Sequence, residues 1–135
     1  MSKSNATETS LLSYIFTNVA PSWDAVTDLD VHLHVADPGE GGTSATSPAT
    51  YTSYAPVTVS RSATDWTVSG NTVTNDNLIQ FPQCTGGSNT ITHVSITPAG
   101  STTILYSGAL NSALSVSNGI QPQFAAGSAL AITED

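Results

Sequence analysis

The sequence predicts an all-β protein, an antiparallel β-sandwich of jelly-roll-like layout with one short N-terminal helix. Three observations carry that expectation. Leu29, Val31, Leu33 and Val35 alternate strictly with Asp30, His32 and His34, the period of a strand with one buried face. Short runs rich in Val, Ile, Thr and aromatic residues then recur about every ten residues, separated by Gly, Pro, Asn and Ser. No second helix is long enough to cross over between parallel strands, which argues against an α/β fold.

Taken in order, residues 1–8 are polar and read as a flexible lead. Thr9 and Ser10 offer capping hydroxyls to a helix over 9–20, in which Leu11, Leu12, Ile15, Phe16 and Val19 share an apolar stripe and Pro21 stops the turn. So short a helix is stable only if that stripe is buried. It either covers an edge of its own sheet or docks on a neighbouring subunit. Residues 29–135 form the β body of what reads as a single domain spanning 1–135. The first strand is 29–35. The Asp37-Pro38-Gly39-Glu40-Gly41-Gly42 stretch opens the longest gap in the chain, 37–50, and long loops of that kind are commonly functional or mobile. Further strands are read at 54–60, 66–69, 72–74, 78–81, 91–97, 102–107, 110–116, 120–124 and 130–133. Gly70-Asn71 suits a tight primed hairpin turn between two of them, and Pro98 to Ser101 joins another pair. Trp66, Phe81, Tyr106 and Phe124 are expected to supply the largest buried surfaces.

Composition narrows the partners. The 135 residues include ten Asp and Glu against two basic residues, for a net charge of −8. Lys3 and Arg61 cannot line a groove for phosphates, and an anionic membrane surface repels such a chain. Neither nucleic acid nor membrane is an expected partner. Ser and Thr number 39 and charged residues only 9%, against roughly 25% in an average globular chain. Cys84 is the single cysteine, which excludes an internal disulfide. No basic segment leads into an apolar run at the N-terminus and no stretch approaches the ~20 apolar residues of a membrane span. The expectation is synthesis in a cytoplasm.

The Asp30, His32 and His34 face could offer two imidazoles to a metal, but no further ligand is identifiable. Asp37 and Glu40 lack the spacing of a calcium loop. Gly39 to Ser44 resembles a phosphate loop without the lysine it needs. Ser88 has no nucleophile-elbow context, and Cys84 with His93 is a weak thiol–base candidate. No catalytic residue, no metal site and no cofactor is expected. Arg61, the single basic side chain of the body, is read either as an exposed charge or as an ion-pair or interface contact.

An ordered series of motifs is more specific. Leu33-His34 with Ala36-Asp37-Pro38-Gly39-Glu40-Gly41-Gly42-Thr43 is followed by Tyr51, Tyr54-Ala55, Val57, Val59 and Arg61-Ser62. Next come Trp66-Thr67-Val68-Ser69-Gly70-Asn71, Phe81-Pro82, Thr85-Gly86-Gly87, Thr92-His93, Ile104-Leu105-Tyr106-Ser107-Gly108 and Ile132-Thr133-Glu134-Asp135. The chain so resembles a family of small tailed-bacteriophage virion proteins, whose members are described as head decoration (cement) proteins, tail-fibre components or virion proteins without an assigned place. Two departures stand out: Pro56 occupies a position that is polar or basic in the family, which argues for an edge strand, and basic residues are unusually few.

The resemblance implies a virion structural protein and no enzyme. The first expectation is a capsid decoration protein on the outer surface of the head, a homo-oligomer (dimer or trimer) that bridges subunits of the major capsid protein. A Ser/Thr-rich surface of low charge loses little on desolvation, and many such contacts add by avidity. The contacts are expected at Leu11, Leu12, Ile15 and Phe16 on the helix, at Asp37, Pro38 and Glu40 in the long loop, at Arg61, and at Ile132 and Glu134 in a C-terminal tail over 131–135. The alternative is a tail-fibre or tail-tip module that binds a host-surface glycan on an aromatic platform of Trp23, Tyr51 and Tyr54.

Overall fold

A computed structural model describes residues 1–134. Its elements are β1 (Ser2–Lys3), α1 (Asn5–Thr17), β2 (Asp28–His34), β3 (Val57–Ser60), β4 (Trp66–Ser69), β5 (Thr72–Asn75), β6 (Ile79–Gln80), β7 (Asn89–Pro98), β8 (Tyr106–Val116), β9 (Gln123–Phe124) and β10 (Ala131–Thr133). A five-stranded sheet has the order β1-β8-β7-β2-β3; a three-stranded sheet runs β10-β5-β4, and β6 pairs with β9. Every pairing is antiparallel. The fold is the all-β sandwich with one short helix that the sequence predicts.

The core joins the sheets. Val31 and Leu33 of β2 pack with Ile91, Val94 and Ile96 of β7, with Ile79 and Ile132 of the smaller sheets, and with Phe81 and Leu130 beside them. β2 is the hinge of the arrangement: Leu29 to His34 pair with Pro98 to His93 on one side, and Asp28 to Val31 with Ser60 to Val57 on the other. Pro56 precedes β3, which is the sheet's edge strand, where a missing N–H costs no ladder bond. Between β4 and β5, Gly70 holds φ +61° in the two-residue turn expected there.

Several boundaries differ from expectation for identifiable reasons. The lead is not loose: Ser2 and Lys3 pair with Ser107 and Tyr106. The helix runs 5–17, not 9–20, because Ser4 rather than Thr9 or Ser10 caps it. The Ser4 Oγ accepts from Thr7 N at 3.2 Å and donates to the Ile104 carbonyl, and Asn18 closes the helix in the left-handed region at φ 56°. In place of the expected strands 102–107 and 110–116 there is one long β8, Tyr106–Val116, with an irregular register opposite Ile91 to His93, and of 102–105 only Thr103 makes an isolated bridge, to Thr43. Of the four large aromatics, Phe81 is fully buried; Trp66, Tyr106 and Phe124 are half-buried at the margin of the core.

Candidate assembly surface

Apolar residues on α1 are the outstanding surface feature. Thr7 is the helix's buried residue, and its hydroxyl donates to the Leu105 carbonyl at 3.0 Å. The Ser4 N–H also reaches Leu105 O, and Asn5 N–H reaches Glu40 O, both at 3.0 Å. These bonds fix the first turn only. Beyond it, Leu12 is 58% exposed, Ile15 68% and Phe16 78%; Tyr14 and Val19 are exposed as well, and Leu11 is half-buried. At about 100° per residue, Leu11, Leu12, Tyr14, Ile15 and Phe16 cover more than half of the circumference and leave Ser10, Ser13 and Thr17 on the other side. A helix this apolar normally lies inside a structure. This one does not cover its own sheet.

The long loop is ordered rather than open. Its Asp37 carboxylate accepts from Gly39 N–H at 2.8 Å, and Pro38 is buried. The loop folds over the polar face of β2, bridging His34 to Pro48 and Thr43 to Thr103. Gly42 is needed for that path: a Cβ there would stand 1.9 Å from the Pro38 carbonyl oxygen. The loop turns the half-exposed face expected of β2 into an interior. His34 is fully buried, with Nδ1 2.9 Å from Thr46 O and Nε2 2.7 Å from Ser95 Oγ. His32 Nε2 is 3.0 Å from Thr97 Oγ1. Asp30 accepts from Thr58 at 2.6 Å and from Gly100 N–H at 3.0 Å. Burial is the main reason that both imidazoles titrate below the usual histidine range. This row is a satisfied polar core. No cluster of three or more His, Cys, Asp or Glu able to hold a metal occurs among the described residues.

The remaining expected contact residues are engaged within the chain. The Arg61 guanidinium donates to the carbonyls of Trp23 (2.8 Å), Asp24 (3.4 Å) and Val26, and lies 5.7 Å from the Trp23 ring centre. It clamps the connector between α1 and β2, meeting carbonyls rather than a carboxylate. Ile132 is only 6% exposed and belongs to the core. Glu134 is engaged by Lys3 and by the Tyr106 hydroxyl. The expected C-terminal docking tail is therefore strand β10 locked onto β5; Asp135 lies outside the described residues.

An aromatic platform does not form. Tyr51 is 3% exposed and its hydroxyl donates to Pro82 O at 2.8 Å. The Tyr54 hydroxyl accepts from Leu33 N–H at 2.9 Å, and burial pushes its pKa up to about 12. Tyr51, Tyr54, Phe81 and Phe124 form a continuous interior chain of ring contacts with centroids 5.3 to 6.4 Å apart. Trp23 sits half-buried beside Arg61, away from that chain. The buried Cys84 thiol donates to Gly86 O at 3.1 Å, while His93 Nδ1 meets Thr92 Oγ1 at 2.9 Å.

Two asparagines that sequence reading passed over organise the loops. Asn75, fully buried, donates to Asn77 O and Ala125 O and accepts from Leu130 N–H, each at 2.9 Å. Asn89 Oδ1 accepts from both Thr50 N–H (2.7 Å) and Tyr51 N–H (2.8 Å). An Asn among turn residues carries no periodic signal, so neither hub was legible.

Residues 2–132 match the family model described as "Podophage GP4 fiber I protein gp80", and the chain belongs to that phage virion protein family. No curated protein matches it.

Proposed function

We propose that this chain is a non-enzymatic structural subunit of a podophage fibre, held in its assembly by α1. The observation that carries the reading is the uncovered apolar surface of that helix. A helix of 13 residues is marginal in water without tertiary burial. Completing the burial of Leu12, Ile15 and Phe16 contributes about 4 kcal/mol, at roughly 1.5–3 kcal/mol per fully buried side chain. The fibre location rests on the description of the family to which the chain belongs. The inward-facing Tyr51 and Tyr54 weigh against a glycan-binding role for this module, so host contact falls to other parts of the fibre.

Labelling tests the location. Gold-conjugated antibodies against this chain, applied to purified particles and viewed by electron microscopy, are expected to mark fibres. Label spread evenly over the head would overturn the reading and return the chain to a decoration role, with the major capsid protein as its partner.

A further inference from the structure

The connection between β8 and β9 carries the single Asn-Gly pair of the chain, Asn118-Gly119. Ser117 to Gln121 are all exposed, and the Asn118 amide makes no hydrogen bond among the described residues. Gly119 stands at φ 92°, and a Cβ built on it would meet nothing within 4 Å. Without that Cβ it sets no steric barrier to a ring closing on its nitrogen. The turn is tied to the interior at one place. Gly119 N–H donates to Cys84 O and Cys84 N–H donates to Ile120 O, both at 2.8 Å. Gln83 Nε2 adds a bond to Gly119 O at 2.9 Å, and Ile120 N–H closes the turn on Ser117 O at 2.9 Å. Cys84, the anchor, is 1% exposed.

We propose that Asn118 is a site of spontaneous deamidation, and that its conversion to isoaspartate unties this turn from Cys84. Hydroxide takes the Gly119 amide proton, and the nitrogen attacks the Asn118 side-chain carbonyl carbon. The new C–N bond closes a succinimide ring. The side-chain nitrogen leaves as ammonia, taking a proton from water and restoring the hydroxide. Water then opens the ring. Breaking the bond to the side-chain carbonyl gives aspartate; breaking the bond to the main-chain carbonyl gives isoaspartate, whose main chain runs on through Cβ and Cγ. One water enters, one ammonia leaves, nothing is oxidised, and a negative charge is added to the net −8. Such reactions make asparagine a thermolabile residue. In the closed turn the Gly119 N–H is held by Cys84 O, so the ring closes from an opened turn. An exposed segment with so few bonds opens locally without unfolding the sandwich. Isoaspartate lengthens the main chain by one carbon just ahead of Gly119, so Gly119 N–H and Ile120 O lose their register with Cys84. Aspartate leaves that register intact. The proposal is independent of the fibre reading.

Incubation of the folded full chain for several days in warm, mildly alkaline buffer provides the test. Ion exchange and peptide mass mapping follow the conversion, and methyl transfer by an isoaspartyl methyltransferase marks isoaspartate. A chromogenic aromatic disulfide reads the reactivity of Cys84, the single thiol. Wild type is expected to yield a more acidic species whose change maps to position 118 and which accepts the methyl label. Its thiol is expected to react on the order of tenfold faster than that of fresh protein, because the two hydrogen bonds to the Cys84 main chain no longer oppose opening. Asn118→Gln, whose longer side chain closes a ring far more slowly, is expected to show neither change over the same period. Freshly purified Asn118→Asp carries the new charge on an unaltered main chain, and its thiol is expected to stay slow. No conversion at 118 in the folded chain, over a time in which the urea-unfolded chain converts, would overturn the site. An isoaspartyl fraction whose thiol is as slow as that of fresh protein would overturn the coupling to Cys84. A fast thiol in fresh Asn118→Asp would overturn the main-chain explanation, since charge alone would then open the turn.

Discussion

Replacing Asn75 by Ala tests whether a single buried amide ties the two small sheets together. Its side chain makes three hydrogen bonds of 2.9 Å, to Asn77 O, Ala125 O and Leu130 N–H. Ala leaves Leu130 N–H, in a residue 3% exposed, without that acceptor, at a cost of about 1–3 kcal/mol for a stranded buried donor. The other two partners belong to exposed residues, where water replaces the lost bonds, and each loses about 0.5–1 kcal/mol. The sum is about 2–5 kcal/mol. For a domain of this size it corresponds to a fall in melting temperature of roughly 10 °C. Calorimetry of Asn75→Ala beside an Asn111→Ala control, at an exposed position, measures it. A variant that melts within a degree or two of wild type would refute the reasoning, since the 125–130 segment would then be held by its backbone bonds alone.

Three further outcomes follow from the same geometry. Gly42→Ala drives a Cβ against the Pro38 carbonyl and should cost about 2 kcal/mol or more, seen as a lowered urea midpoint; an unchanged midpoint would mean that the loop has another path over His34. Arg61→Ala frees the carbonyls of Trp23, Asp24 and Val26, and hydrogen exchange of the connector 21–27 should accelerate while that of β7 does not; uniform exchange would contradict a local clamp. Burial holds His32 and His34 below the usual histidine range, so the unfolded chain takes up protons first as pH falls below about 6.5. Stability is therefore full above that pH and declines beneath it. The urea midpoint should be lower at pH 5.5 than at pH 7.5, and a His32→Gln variant should show a smaller difference; a midpoint that does not move would contradict the burial of these rings.

What the sequence made legible was set by periodicity. Alternation over 29–35 marks β2 because each residue repeats the signal of the one two places away, and Gly70-Asn71 marks the β4–β5 turn by local chemistry alone. The covering of β2 by the 37–50 loop was not legible: it depends on long-range bonds from His34 to Thr46 and Ser95, and a loop's polarity says nothing about where it lies. The helix was found but misplaced, since Thr9 and Ser10 look as good as caps as Ser4 does. Only the contacts of Ser4 and Thr7 with the 104–105 carbonyls decide between them. Ile132 and Tyr51 were expected outside because chain ends and loops usually are, yet pairing of β10 with β5 and the stack of interior rings draw them in. Of the expected contact residues, Leu12, Ile15 and Phe16 of the helix stand exposed, as do Asp37, Glu40 and Arg61, while Leu11 is half-buried and Pro38 and Ile132 are buried.

The most direct test of the central claim is the copy number of this chain relative to the major capsid protein in purified particles, by quantitative mass spectrometry. A fibre subunit is expected at a small number of copies per particle. A ratio near one to one, or a simple fraction of it, would contradict the fibre assignment and place the chain on the shell.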